Sequence, residues 1–93
     1  MVTRTVTVRN TLGVHARAAA KFVHAASAYA AQVSVARGNR VVDGKSILGV
    51  LLLAAARGTA ITITADGPDE ADVLESLCGL VDAGFGEGPC IIA

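Results

Sequence analysis

Hydrophobic periodicity switches back and forth between two residues and about 3.6 along this chain, and that alternation narrows the folds open to it more than any other feature. Residues 2–8 (VTRTVTV) alternate, with Val2, Arg4, Val6 and Val8 on one side and threonines on the other. From Ala16 to about Ala28 the residues are strong helix formers, and Ala19, Ala20, Val23, Ala26 and Ala30 make an apolar stripe near the helical period. Residues 32–37 (QVSVAR) and 40–43 (RVVD) read as strands. Gly38-Asn39 between them suits a type II′ hairpin, which wants glycine at its first central position. Ser46 is a favoured N-cap and opens a short helix running from Ile47 to about Ala55. Residues 60–66 (AITITAD) alternate again. After Gly67-Pro68-Asp69, a last helix over roughly Glu70–Ala83 is expected to bury Val73, Leu74, Leu77, Leu80 and Val81.

The order is therefore βαββαβα, an α+β domain with a four-stranded sheet covered on one face by three helices. The threonine-rich sides of the first and last strands suit an antiparallel sheet left open to water. A chain of 93 residues makes one domain, spanning 1–93. Its 53% apolar content leans on alanine and includes three aromatic residues, so the core is thin and encloses no ligand cavity. Eight basic and eight acidic side chains cancel, and no Lys/Arg run offers itself to nucleic acid or acidic lipid. Neither a membrane span nor a secretory leader is visible, which makes the cytoplasm the expected location. Cys78 and Cys90 stand too far apart for a CxxC and have no companion ligands for zinc, so no metal site is expected. Reduced, partly buried thiols are the expectation, with a disulfide as the alternative.

His15 stands immediately before the first helix, after Leu12-Gly13-Val14. At a helix start the backbone N–H groups have no intrahelical partner and the macrodipole favours negative charge, so anions bind there. Imidazole titrates near ~6.5 and is a competent nucleophile when neutral. Arg17 follows in the first turn and Lys21 one turn later, so a nucleophile, an anion hole and a cation fall within three residues. On these grounds alone, a histidine that merely begins a helix explains the pattern equally well. His24 lies mid-helix and reads as an ordinary surface or packing residue. Two other motifs fail on counting. Gly44-Lys45-Ser46 imitates the end of a P-loop but has Asn39 where glycine is needed, and Leu48 breaks G-x-S-x-G.

The run Asn10-Thr11-Leu12-Gly13-Val14-His15-Ala16-Arg17-Ala18-Ala19-Ala20-Lys21 closely resembles the active-site segment of the HPr family, phosphocarriers of the phosphoenolpyruvate phosphotransferase system. Gly44-Lys45-Ser46-Ile47-Leu48-Gly49-Val50-Leu51 resembles the family's regulatory-serine segment, and the element order matches its open-faced sandwich. The resemblance implies a carrier that is not an enzyme in its own right and needs no cofactor. Enzyme I would load a phosphoryl group on His15 with Arg17 stabilising it, and an EIIA-type domain would remove it. It also implies Ser46 as the target of an HPr kinase/phosphorylase. Ala16, Ala20, Lys21, Ile47, Leu48 and Leu51 would then form the partner-binding surface of a monomer. Within the short helix, Gly49, Val50 and Leu53 would face inward, and Ile47, Leu48, Leu51 and Ala55 outward. One departure is Ala18, where the family commonly has proline; alanine keeps the helix but could loosen its start. Ala18-Ala19-Ala20-Lys21-Phe22-Val23 and Leu80-Val81-Asp82-Ala83-Gly84-Phe85 look somewhat like the nitrogen-related NPr branch, so sugar uptake and nitrogen signalling both stay open. From another class, a module that docks regulators through the Ser46 helix without relaying phosphate is the alternative.

Overall fold

A computed structural model describes residues 1–9, 13–53 and 55–86. Its elements run β1 (Val2–Thr7), α1 (Ala16–Ser27), β2 (Gln32–Arg37), β3 (Arg40–Asp43), α2 (Ile47–Leu52), β4 (Ala60–Asp66) and α3 (Glu70–Asp82), with a 3₁₀ turn at Gly84–Gly86. The strands form one antiparallel sheet in the order β1-β4-β2-β3, with Val6 opposite Ile61 and Val35 opposite both Ile63 and Val42. This is the expected α+β architecture.

Strand alternation decides which side of the sheet is covered. Val6, Ile61, Ile63, Ala65, Val33 and Val35 point the same way and are buried. Above them lie Ala18, Ala19, Phe22 and Ala26 of α1 and Val73, Leu74, Leu77, Cys78 and Val81 of α3. The other face carries hydroxyls that bond across strands, Thr3 to Thr64 and Thr5 to Thr62, each at 3.1 Å. The β2–β3 connection has the two-residue form expected: Arg37 pairs with Arg40, and φ is positive at Gly38 (60°) but not at Asn39.

The α1 stripe needs correction. Ala20 and Ala30 are exposed and Val23 is half-buried, whereas Ala18 and Phe22 are buried. A run of alanines carries almost no rotational phase, and the bulk of Phe22 settles which side turns inward. In α3, Leu80 is half-buried and Cys78 takes a fully inward place. Burial pushes the Cys78 thiol pKa up, so it is held as the neutral thiol. Cys90, like Asn10, Thr11 and Leu12, lies outside the described residues.

The last turn was not anticipated. Phe85 sits in the left-handed region (φ 58°) yet is 1% exposed, so packing of the ring holds a backbone state unfavourable for a bulky residue. The Lys21 ammonium donates to its carbonyl at 2.7 Å, tying this turn to α1.

Candidate functional site

His15 is the N-cap of α1, with extended backbone (φ −102°, ψ −175°). Its carbonyl accepts the first intrahelical bond, from Ala19 N–H at 2.8 Å. Its ring turns back, and Nδ1 accepts from the Arg17 backbone N–H at 3.2 Å. The ring nitrogen thus occupies the place that serine or aspartate oxygen takes at other helix starts. Placing a lone pair there, half-buried at the positive end of a twelve-residue helix, puts a nucleophile among groups that favour a developing anion.

The approach to His15 is held from behind. Gly13 has φ 67°, and a Cβ on it would lie 2.7 Å from the Ala55 carbonyl oxygen and 2.9 Å from Ala56 Cα. Glycine is needed for both reasons. Next to it, the Val14 N–H donates to the Ala55 carbonyl at 2.9 Å. The loop carrying His15 therefore rests directly on the chain leaving α2. Ala55 was expected in the outward stripe of that helix; instead it is 2% exposed, because the helix ends at Leu52 and the chain then turns under the His15 loop. Nothing in the sequence marks Ala55 for this task, since a backbone carbonyl performs it.

On α1, Ala16, Arg17, Ala20 and Lys21 are all exposed, on the side turned from the sheet. Among the described residues the Arg17 side chain makes no hydrogen bond or ion pair, while Lys21 is committed to Phe85. Ala18 is wholly buried, and the first turn closes normally around it, so alanine leaves the helix start intact. His24 is exposed, as expected.

Ser46 caps α2, its Oγ accepting from Gly49 N–H at 3.1 Å. Val50 and Leu53 point inward. Ile47 (46%), Leu48 (67%) and Leu52 (56%) are exposed, whereas Leu51 is half-buried against the core. Leu52 replaces Leu51 at the outward edge; it sits one turn from Leu48, a spacing that could have flagged it. A shallow, open hollow of about 660 Å³ lies at the far end of the sheet, lined by Ser34, Asp43, Lys45, Thr64 and Asp66 among others, away from His15. Among the described residues no cluster of metal-ligating side chains occurs, and no helix is long and apolar enough to cross a membrane.

Comparison with known proteins gives this arrangement a context. The family described as "PTS HPr component phosphorylation site" matches residues 2–83. The phosphocarrier protein HPr of Cupriavidus necator is 46% identical over 88 residues, covering 95% of this chain and 99% of that one. The chain belongs to the HPr family. A phosphoryl-carrier role in the phosphotransferase system comes with membership. The phosphocarrier protein NPr of Shewanella violacea is also similar, at 40% identity over 84 residues, covering 90% of this chain and 92% of that one. Among solved structures, HPr-C-His from Thermoanaerobacter tengcongensis superposes with a TM-score of 0.92 at 36% identity, over 96% of this chain and all of that one. The open-faced sandwich of the HPr family is thus the fold seen here.

Proposed function

We propose that His15 is the phosphoryl acceptor and that Nδ1 is the reacting atom. The hydrogen bond from the Arg17 N–H to Nδ1 carries this reading, because an acceptor nitrogen bears a lone pair and leaves the proton of the neutral ring on Nε2. In the transfer, that lone pair forms a bond to phosphorus while the bond from phosphorus to the donor breaks. The incoming phosphoryl oxygens take over the amides at the helix start, and the uncommitted Arg17 guanidinium closes on them. No substrate cleft is required, since the partner brings the rest of the chemistry.

Enzyme I, charged by phosphoenolpyruvate, is the donor, and an EIIA-type domain is the acceptor. Exposed Ile47, Leu48 and Leu52 on α2, with Ala16 and Ala20 on α1, supply the apolar part of the docking surface. Ser46, at the edge of that surface, is where a kinase would regulate docking. Resemblances to both HPr and NPr proteins leave sugar transport and nitrogen-related signalling as branches of the same chemistry.

Incubation with phosphoenolpyruvate and each Enzyme I of the source organism, read by intact mass, tests the proposal. One acid-labile, alkali-stable phosphoryl group is expected, with nitrogen-15 NMR placing it on Nδ1. His15→Ala should keep the melting curve and lose the label. A variant that labels as well as the wild type would end this assignment.

A further inference from the structure

Helix α2 carries the exposed Ile47, Leu48 and Leu52, yet little of its own sequence holds it in place. It has six residues, Ile47–Leu52, below the length at which a helix sustains itself. Three of those side chains face solvent, Gly49 has none, and Val50 with the C-cap Leu53 makes the fully buried contacts. Its position has to come from neighbouring elements.

β3 grips α2 at both ends. At the front, the Ser46 N–H donates to the Asp43 carbonyl at 3.2 Å, beside the Ser46 cap on Gly49. At the back, Arg40 Nη1 donates to the Leu52 carbonyl at 2.6 Å. Arg40 and Asp43 are the first and last residues of β3. Four extended residues reach ~10 Å and six helical ones ~9 Å, so strand and helix match in length. The Leu52 carbonyl belongs to those that a helix C-terminus leaves unpaired, since the Leu53 N–H turns back to Leu51 and Val50. A guanidinium suits that place twice, as a donor and as a countercharge to the negative helix end.

The chain that leaves α2 here supports the His15 loop. Three residues after Leu52, the Ala55 carbonyl takes the Val14 N–H, and Ala56 lies close against Gly13. Arg40 is thus tied to the last helical residue before the segment on which that loop rests.

We infer that Arg40 is a positioning residue. Its side chain fixes the end of α2, and with it the apolar docking edge at Leu52 and the chain beneath His15. It acts through its own backbone partner and not by touching an incoming protein. The effect on phosphoryl transfer rests on the carrier reading; the effect on the free protein does not.

Two variants test this. Arg40→Met keeps the apolar stem and removes the donors, whereas Arg40→Lys keeps a cation that can donate. In the free protein, amide hydrogen exchange at Val14 should quicken about tenfold in Arg40→Met and stay within about twofold of wild type in Arg40→Lys. Gly44, whose N–H bonds the Val33 carbonyl at 2.8 Å, should exchange at the wild-type rate in both, because β3 keeps its place. With Enzyme I and phosphoenolpyruvate, Arg40→Met should raise the KM for this protein about tenfold and change kcat by less than about twofold, because docking must first restore the place of α2. Arg40→Lys should return the KM to the wild-type value. Unchanged exchange at Val14 in Arg40→Met overturns the inference; joined to a raised KM, it would mean that the guanidinium meets the partner directly. Faster exchange at Gly44 together with Val14 overturns it too, since the whole hairpin would then have loosened. A wild-type KM in Arg40→Met overturns it as well. If the wild-type protein accepts no phosphate from Enzyme I, the carrier reading falls, and the exchange rates still decide what holds α2.

Discussion

His15 spends its carbonyl on the helix and its ring nitrogen on the helix start, so one residue both caps α1 and fixes its own ring at the helix N-terminus. Arg17 divides its labour in the same way, with its amide on Nδ1 and its guanidinium left in solvent. A cation in a first helical turn gains nothing from the dipole, and this one gains nothing from packing. Arg17→Ala should therefore slow phosphoryl transfer by roughly 10²-fold, the scale of losing one preorganised charge donor. Its unfolding free energy should move by less than about 0.5 kcal/mol. A large drop in melting temperature with normal transfer would make Arg17 a structural residue. In the sequence Gly13 is only a glycine ahead of the helix; its close fit under Ala55 and Ala56 belongs to tertiary structure and has no local signature.

At the scale of elements, α2 is the part whose end the sequence disguised. Apolar residues continue past Leu52, so the pattern extends the helix to Ala55, although Leu53 already serves as its C-cap. That misplaced end accounts for Ala55, whereas the exchange of Leu51 for Leu52 is one of helical phase, Leu52 lying one turn from Leu48. Element order, hairpin, the Ser46 cap and sheet class were readable because each has a local cause: glycine at a turn, serine at a cap, alternation in a strand. For α2 itself, Ser46→Asp should leave the melting curve unchanged or raise stability by ~0.3–1 kcal/mol, because the carboxylate sits at the positive helix end. Binding to Enzyme I should weaken, since an apolar partner surface would have to desolvate the charge. Leu48→Asp, at an exposed position, should weaken binding likewise without loss of folding. Titration calorimetry beside unfolding curves checks both; wild-type affinity in the pair would remove α2 from the interface.

Across the whole molecule, Asp69 joins elements that are distant in sequence. Its carboxylate accepts from Ala31 N–H at 2.8 Å and Ala30 N–H at 2.9 Å, fastening the exit of α1 to the start of α3. The Ala30 amide is the main cause holding the Asp69 pKa below the ordinary carboxylate value, helped by Ala31 and opposed by desolvation. A folded pKa below the unfolded one means stabilisation that is complete above the unfolded value and lost as pH falls through the folded value. Asp69→Asn should thus melt earlier than wild type at pH 7, and the gap should close as pH drops below ~3.9. A gap independent of pH would show that charge has no part in this link.

The pairing of β1 with β4 has a consequence for the order in which the chain is made. Val2 faces Ala65 and Val6 faces Ile61, so the first strand to leave the ribosome is partnered by the last. Until Asp66 has emerged, β1 has no neighbour in the sheet, and until Ala56 has emerged nothing supports the loop beneath His15. Contacts this remote in sequence close late, and their loop entropy must be met before they return anything. A growing chain can wind α1 early, but the contacts that hold the His15 loop form only after Ala55 and Ala56 have followed. An interrupted translation product that stops before Ala55 therefore contains His15 without the contacts that hold its loop.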